Sequence, residues 1–351
     1  MIISRTPYRL SFFGGGTDYP GWYKKNGGQV LSTTIDKHLY ITCRYLPPFF
    51  EHQLRLVYSK IEACQDSDEL SHPSTREVLK FMNIKNGLEI HYDGDLPGRS
   101  GLGSSSAFTV GLLNALYAYV DQGVSPKRLM QESINIEQNI IKETVGSQDQ
   151  ANAAYGGFNK ISFKENDEII VEPISLPQSR IEALDNNIML FYTGIMRTAE
   201  KVAASYVNNI HNKENILFSM NDMVDEAINI LGNGNLDDFG LLLNETWKLK
   251  RTLSSIVSNS TVNEIYSKAL SSGALGGKLS GAGGGGFLQL YVPIDNQSSV
   301  KRALSNLLHV PFNFEPNGSQ IIFNDPNKKN DKQINSSKIT RPSFTELKDI
   351  K

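Results

Sequence analysis

The segment that most restricts the fold of this chain is a loop rich in glycine and serine at residues 96–107. It follows Leu88–Tyr92, which alternates like a half-buried strand, and it precedes residues 107–120, which are apolar on nearly every side and predict a buried helix. Glycine lets the backbone approach a ligand closely, and the first turn of a helix offers unpaired N–H groups to an anion. The segment therefore predicts a phosphate-binding loop at a helix N-terminus.

The predicted contacts with nucleotide phosphates are Pro97, Gly98, Arg99, Ser100, Gly101, Leu102, Gly103, Ser104, Ser105 and Ser106. The loop is not a Walker P-loop, because Gly-Lys nowhere precedes Ser or Thr at the required spacing, and Gly277-Lys278 is followed by Leu279. A flexible turn is the alternative interpretation. A generic turn would not require three serines directly before a buried helix.

Two further glycine clusters lie near residue 15 and near residue 283. The first follows Arg9 and ends in Gly16, Thr17 and Asp18. The second places four consecutive glycines, 283–286, before a predicted strand. Glycine is entropically costly to order, so such runs indicate that the backbone lies in close contact with a ligand or another part of the chain. For the second cluster, a glycine-rich hinge is the alternative interpretation.

Three glycine motifs in this order resemble the GHMP kinases, and the resemblance covers roughly residues 1–323. It implies an α+β fold of two domains: an N-terminal domain like ribosomal protein S5 domain 2 at residues 1–175 and a ferredoxin-like C-terminal domain at residues 176–323. ATP and a sugar would bind between them, with Gly281 and Gly283 also contacting the nucleotide. Residues 324–351 are polar and predict a disordered tail.

Three segments resemble the D-glycero-D-manno-heptose 7-phosphate kinases within that family: residues 9–18, residues 192–197 and residues 247–251. The resemblance implies phosphorylation of an anomeric hydroxyl to give a 1,7-bisphosphate for surface-polysaccharide synthesis. A kinase of an unphosphorylated sugar, such as fucose, galactose or arabinose, is the first alternative. A sugar and ATP sensor without catalytic activity is the second.

Two acidic residues are candidates for the chemistry. Glu137 falls inside the apolar stripe of a predicted helix over residues 126–142, where an unpaired carboxylate costs several kcal/mol. Either Mg²⁺ or a structural Arg or Lys would compensate it, and the resemblance favours Mg²⁺ held by Ser105 and Glu137. Asp149 follows Ser147, which with Gln150 predicts a capping box.

From the residues alone, Asp149 is explained by the dipole of the helix that it begins. The resemblance implies instead that Asp149 orients the sugar hydroxyl and accepts its proton, with Arg9 as its partner. It also implies that Gly16, Thr17 and Asp18 bind the sugar. Arg197 and Lys250 are the candidates for a substrate phosphate, chosen from the basic residues Arg99, Arg197, Lys248, Lys250 and Arg251.

Composition limits the cellular location and the binding partners that we expect for this chain. The net charge of −2 gives no global attraction to nucleic acid, two cysteines are too few for a disulfide framework, and no apolar run approaches the roughly 20 residues that span a bilayer. We therefore expect a cytoplasmic enzyme, monomeric or homodimeric, that binds small molecules and neither nucleic acid nor membrane.

Overall fold

The computed structural model describes residues 1–47, 49–85, 87–98, 100–195, 199–207 and 210–325, and it contains two antiparallel-rich sheets with helices packed against them. The strands are β1 (Ile2–Phe13), β2 (Gly28–Tyr45), β3 (Leu54–Val57), β4 (Ile61–Cys64), β5 (Leu88–Gly94), β6 (Phe158–Phe163), β7 (Ile169–Pro173), β8 (Ile188–Tyr192), β9 (Gly276–Leu279), β10 (Phe287–Tyr291), β11 (Leu308–His309), β12 (Phe314–Glu315) and β13 (Gln320–Asn324). The α-helices are α1 (Pro20–Asn26), α2 (Pro73–Phe81), α3 (Ser104–Tyr119), α4 (Pro126–Ile134), α5 (Gln148–Tyr155), α6 (Gln178–Asn187), α7 (Ala199–Val207), α8 (Glu214–Asn233), α9 (Leu236–Arg251), α10 (Ser260–Ser271) and α11 (Gln297–Ala303).

The first sheet is built on the long antiparallel pair β1 and β2. Its order is β13-β1-β2-β5-β3-β4, with β12 and β6 also pairing with β2, and β7 pairing with β6. Helix α3 packs on β1 at close range because Gly111 has no side chain: a Cβ there would lie 2.7 Å from Thr6 Oγ1. Ser4 Oγ donates to the Gly111 carbonyl at 2.8 Å, which fixes this contact. The buried helix that the sequence predicted is therefore held directly against the strand that carries Arg9.

The second sheet has the order β11-β8-β10-β9, with every pair antiparallel. Helices α7–α10 connect β8 to β9, a tight link joins β9 to β10, and α11 connects β10 to β11. This βαββαβ arrangement is the ferredoxin-like topology, as the sequence predicted for the C-terminal part.

The chain returns to the first sheet at its end, which corrects the predicted domain limits. Residues 176–323 were expected to form the second domain, but β12 pairs with β2, and β13 pairs with β1. Asn324, predicted as the start of the tail, pairs with Ile2. The strand signal was hidden because both segments are short and partly polar, so only pairing with the first sheet orders them. Residues 326–351 of the predicted tail lie outside the described residues.

Candidate active site

Arg9, which is buried, and Asp149, which is partly exposed, form a two-point ion pair at the centre of the site. Arg9 Nε donates to Asp149 Oδ1 and Arg9 Nη2 donates to Asp149 Oδ2, both at 2.8 Å. The third arm of the guanidinium, Nη1, donates to the Gly101 carbonyl at 2.7 Å. A guanidinium matches a carboxylate through such paired bonds, so both side chains are fixed in orientation. The pair thus connects β1, the glycine loop and the first turn of α5.

The glycine loop begins helix α3 as the sequence predicted. Gly101 and Gly103 have φ of +83° and +78°, a conformation that favours glycine. Gly103 immediately precedes Ser104 at the start of α3, and a Cβ on Gly103 would lie 3.3 Å from Arg9 Cγ and 3.5 Å from the Asp149 carboxyl carbon. The N-terminus of α3, the loop backbone and the acid at position 149 therefore lie together. Arg99 lies outside the described residues.

The glycines near residue 283 are explained by backbone packing. Gly281 (φ +67°) lies against Gly101, and a Cβ on Gly286 would lie 2.2 Å from the Ser100 carbonyl oxygen. Gly283 (φ +105°) would clash with the Val257 carbonyl oxygen at 2.6 Å if it carried a Cβ. These glycines let the second sheet press its loop onto the phosphate loop. Contact of Gly281 and Gly283 with a nucleotide stays a prediction.

Glu137 is completely buried, and its hydrogen-bonding partners are neutral side chains and not the Arg or Lys that was one of the two predicted compensating groups. Ser106 Oγ and Gln150 Nε2 donate to Glu137 Oε2 at 2.8 and 2.6 Å, and within the described part of the chain no Arg or Lys pairs with it. Burial raises the pKa of Glu137 to about 7, against the lowering effect of the hydrogen bonds from Ser106 and Gln150. Its second oxygen, Oε1, has no hydrogen-bond partner there.

Two local predictions around Glu137 are wrong. The helix expected over residues 126–142 is α-helical only to Ile134 and continues as a π-helix over Asn135–Ile140, a rare form that is frequent at functional sites. The predicted capping box is absent, because the Ser147 side chain caps no backbone N–H and Gln150 bonds Glu137 instead. Ser147 Oγ accepts from Gln138 Nε2 at 3.0 Å.

The residues around Glu137 suit a hard cation that keeps water and phosphate oxygens as ligands. Glu137 Oε1 is buried without a partner, and Ser105 is exposed in the first turn of α3, one residue before the serine that bonds Glu137. Over the described residues, no group of three or more His, Cys, Asp or Glu side chains could hold a metal. Mg²⁺ commonly uses only one or two protein carboxylates beside substrate phosphates, so this donor set fits it.

Hydrogen bonds from neighbouring residues fix the carboxylate of Asp18 in the loop after β1. Gly16 N and Gln148 Nε2 donate to the two carboxylate oxygens of Asp18 at 3.0 and 2.8 Å, and burial raises the pKa of Asp18. A Cβ on Gly146 would lie 1.9 Å from Asp18 Oδ2, so only glycine allows this approach. Asp18 is 1% exposed and faces the same interior as Asp149, whose charge contributes to the raised pKa.

Thr17 has a structural role here in place of the predicted contact with substrate. Its side chain is fully buried, and its hydroxyl donates to the carbonyls of Gly14 and Gln29 and accepts from Gln29 N. Its hydroxyl proton and one of its two acceptor sites are thus used to close the loop that carries Gly16 and Asp18.

One of the predicted cations points into the site. Lys250 is buried and its Nζ donates to the Gly281 carbonyl, while burial, followed by the neighbouring Arg9, lowers the pKa of Lys250 to about 8. Lys248 is exposed and pairs with Glu245 at 2.7 Å, as expected for the other member of the pair. Arg197 lies outside the described residues.

Sequence reasoning missed two features beside these groups. Tyr19 and Tyr206 lie buried next to each other, with hydroxyl oxygens 3.4 Å apart and with Asp18 close to both. Lys278 is buried on β9, and burial, followed by Lys250 and Arg9, lowers its pKa. A lysine at the start of the glycine run was visible in the sequence, but only the fold shows that it turns inward.

A glycine loop at a helix N-terminus, a two-point Arg–Asp pair and a ferredoxin-like second half together define a two-domain, non-Walker phosphotransferase of small molecules. Sequence profiles for the GHMP kinases N terminal domain and the GHMP kinases C terminal region match residues 73–157 and 223–309. The chain belongs to the GHMP kinase family. The family and fold predicted from the three glycine motifs are thereby confirmed.

Two relatives and two solved structures illustrate the likeness. The chain is 30% identical over 317 residues to D-glycero-alpha-D-manno-heptose 7-phosphate kinase of Campylobacter jejuni, covering 86% of this chain and 93% of that protein. It is 25% identical to L-fucokinase/L-fucose-1-P guanylyltransferase of Bacteroides fragilis, over 86% of this chain but 35% of that protein.

A crystal structure of a D-glycero-D-manno-heptose 1-phosphate kinase from Bacteroides thetaiotaomicron superposes with a TM-score of 0.77, covering 93% of this chain and 100% of that one, at 22% identity. A putative sugar kinase from Campylobacter jejuni gives a TM-score of 0.69 at 26% identity, over 92% of this chain and 98% of that one.

Within the described residues, no helix is both long enough and apolar enough to cross a membrane.

Proposed function

We propose that this protein transfers the γ-phosphoryl group of ATP to the anomeric hydroxyl of D-glycero-D-manno-heptose 7-phosphate, giving the 1,7-bisphosphate. The observation that carries the kinase reaction is the convergence of Arg9, Asp149 and the glycine loop at the start of α3. The substrate follows from the 30% identity with a heptose 7-phosphate kinase over most of both chains.

The nucleotide phosphates bind against the loop at residues 97–106 and the first turn of α3, whose N–H groups and dipole favour negative charge. Phosphoryl transfer needs mainly alignment and charge stabilisation, because the protein forms no covalent bond in it. Arg9 meets both needs, since its bonds to Gly101 and Asp149 keep a cation at a fixed place beside the loop.

Asp149 orients the sugar hydroxyl and accepts its proton. As the hydroxyl oxygen forms its bond to the γ-phosphorus, the bond from that phosphorus to the β,γ-bridging oxygen breaks and ADP leaves. The hydroxyl proton passes to the Asp149 carboxylate, whose 26% exposed side chain is open enough to receive a ligand. Arg9 keeps that carboxylate in one orientation throughout.

Glu137 and Ser105 would hold Mg²⁺, which neutralises charge on the ATP phosphates when it is bound. Ser106 and Gln150 both bond Glu137 Oε2, which leaves Oε1 as the oxygen open to a ligand. The π-helical turn places Glu137 beneath the first turn of α3, where the phosphates bind. Mg²⁺ and ATP are therefore the cofactors that we propose.

The sugar binds at the loop that contains Gly16 and Asp18, with the Asp18 carboxylate accepting from sugar hydroxyls. Lys250 and Arg197 are proposed for anionic groups of the substrate. Lys250 has only the Gly281 carbonyl as a hydrogen-bonding partner among the described residues, so two of its three donors remain for a ligand. The substrate is a small molecule, and a monomeric or homodimeric state stays a prediction.

A kinase of an unphosphorylated sugar is the second candidate. It is favoured by the likeness to an L-fucokinase over 86% of this chain. A catalytically silent sensor is disfavoured, because Arg9, Glu137 and Asp149 are all present and mutually placed for chemistry.

An ADP-coupled assay with a panel of sugars tests these alternatives. The panel contains the heptose 7-phosphate, the heptose 1-phosphate, the free heptose, L-fucose, D-galactose and L-arabinose. We expect turnover of the heptose 7-phosphate, with ³¹P NMR of the product showing a new anomeric phosphate. Strong turnover of a free hexose and none of the heptose 7-phosphate would contradict the substrate. Binding of both ligands without ADP release in a single turnover would identify a sensor.

A further inference from the structure

A bulge in β1 lies between the two parts of the site. Ser11 pairs with Ser32 and Phe13 pairs with Leu31, so Phe12 has no partner across the β1–β2 ladder. A bulged residue leaves backbone groups outside the ladder and bends its strand. Arg9 precedes this bulge and the loop of Gly16 and Asp18 follows it. The local direction of the backbone at Phe12 therefore sets how these two parts of the site face each other.

The second sheet supplies hydrogen bonds to this bulge. Lys278 Nζ donates to the Phe12 carbonyl and Gln289 Nε2 donates to the Ser11 carbonyl, each at 2.7 Å. Lys278 and Gln289 are cross-strand partners on β9 and β10, and both are essentially fully buried. Two neighbouring carbonyls of the first sheet are thus held by two neighbouring side chains of the second.

Aromatic packing surrounds the same contact. Phe239 of α9 lies edge-on to Phe12 and Phe13, with ring centroids 5.4 and 5.0 Å away. Such contacts bring the two halves together without direction, since apolar contact tolerates small shifts. The hydrogen bonds from Lys278 and Gln289 add the direction that the packing lacks.

A buried lysine is an expensive way to make this contact. The Phe12 carbonyl is its only acceptor within the described part of the chain, and the charges that act on its pKa are Lys250 and Arg9, opposed by Asp18. Burial lowers the pKa of Lys278, and those two cations lower it further. A purely structural contact at this place is cheaper with an apolar side chain, because burying an ammonium group carries a large desolvation cost.

We infer that Lys278 is a positioning residue: with Gln289 it fixes the bulge at Phe12, and so orients the Asp18 loop relative to the Arg9–Asp149 pair. In this role Lys278 acts through the backbone of β1, by its hydrogen bond to the Phe12 carbonyl. The inference concerns the geometry of the sugar side of the site. It holds for whichever sugar the wild-type protein phosphorylates.

The test compares Lys278→Met, Lys278→Arg and the wild type, using that sugar in the ADP-coupled assay. For Lys278→Met we expect kcat/KM for the sugar to fall by about 10- to 100-fold, because misplacement of about 1 Å has this effect, while the KM for ATP changes by less than about twofold. Lys278→Arg keeps a hydrogen-bond donor for the Phe12 carbonyl, and we expect it to restore most of the loss. Tyr266→Phe, which removes one part-buried hydrogen bond to Asn244 in the same half of the molecule, is the matched control.

A lower melting temperature with wild-type kcat and KM in Lys278→Met would overturn the inference, since it would show a structural role only. An equal loss in the Met and Arg variants would overturn it as well. If Lys278→Met does not fold, Gln289→Leu is measured in its place, because it removes the donor to Ser11 at similar volume. A sugar-specific loss then supports the inference and unchanged kinetics overturn it.

Discussion

The role of Asp149 can be tested by changing one oxygen of its carboxylate. In Asp149→Asn the side chain keeps its shape and can still accept one bond from Arg9, but it loses its basicity. We expect kcat to fall by about 10²–10⁴-fold, the usual range for a lost acid–base group. ATP affinity, measured by calorimetry, should stay near the wild-type value because the phosphate loop is unchanged.

Asp167→Asn is a matched control for that substitution, because Asp167 forms an exposed ion pair with Lys24 at 2.9 Å. An exposed pair contributes little, and its loss should leave kcat unaltered. If Asp149→Asn retained near-normal kcat, the assignment of Asp149 would be wrong.

Glu137 makes the metal-free protein sensitive to pH. The pKa of Glu137 rises from an ordinary value of 4.5 to about 7 in the folded state, so the folded protein binds this proton more tightly than the unfolded chain does. The stabilisation is complete below about pH 4.5 and is lost as pH rises through about 7. A shift of this size contributes on the order of 3 kcal/mol to the free energy of unfolding at low pH, and this contribution is absent above about pH 7.

Urea unfolding in EDTA at pH 5 and pH 7.5, with wild type and Glu137→Gln, measures this effect. Other groups with raised pKa values, such as Asp185 at about 6, titrate in both proteins and cancel in the difference. We expect the glutamine variant to gain stability relative to wild type as pH rises, and to show a weaker stabilisation by Mg²⁺ at pH 7.5. An unchanged metal response would contradict the Mg²⁺ site.

The sequence could identify Glu137 because an acid in an apolar stripe demands compensation, whatever its partner. It could not show that Ser106 and Gln150 supply the hydrogen bonds, because these residues come from two other helices. Thr17 was placed with the substrate because it adjoins Asp18, and only its burial shows that it closes the loop. Lys278 carried no pattern that tells an inward lysine from a solvated one.

Among the elements, the start of α3 tolerates least change. Gly103→Ala would place a Cβ at φ +78° and 3.3 Å from Arg9 Cγ. We expect a loss of about 1–2 kcal/mol of stability from the left-handed conformation. Since the new methyl group also crowds the Arg9–Asp149 pair, kcat should fall too.

Gly123→Ala is the comparison, because a Cβ at position 123 meets nothing within 4 Å and the φ angle is ordinary. Thermal unfolding and kcat of the two variants provide the measurement. Equal behaviour of the two would show that the loop has freedom that the structure does not indicate.

Most elements were predictable because their patterns are local. The strand expected at Leu88–Tyr92 and the helix expected at residues 107–120 appear close to their predicted limits, as β5 and α3. The π-helical turn at residues 135–140 was not predictable, since its extra residue per turn serves to aim Glu137 at α3 and leaves no mark in composition. The capping box was wrong for a similar reason. Gln150 fits the local sequence pattern of a capping box, but in the fold its side chain donates to Glu137.

At the scale of the whole molecule, the two-sheet architecture followed from the resemblance, and the ferredoxin-like order of the second sheet confirms it. The return of β12 and β13 to the first sheet did not follow. Pairing between residues 320 apart is not encoded in any local window, so the second domain was assigned too many residues.

Two truncations distinguish the contribution of β12 and β13 from that of the residues after them. Removal of residues 326–351 should leave kcat and the melting temperature near wild type, because this segment is polar and has few residues able to join a core. Removal of residues 314–351 deletes β12 and β13, with the hydrogen bond that Asn114 donates to Ser319 and the one between the Thr6 and Ser319 hydroxyls, and should destabilise the first sheet strongly. Loss of activity in the shorter deletion would show that those residues complete the site.

The double passage of the chain between the halves limits how they can move. The chain leaves the first sheet after β7 and comes back before β12, so two covalent connections join the halves. Two tethers suppress sliding and twisting, and they leave rocking about the line through both crossings as the easiest relative movement. Opening and closing around a substrate would then be a rotation of one half relative to the other about that line.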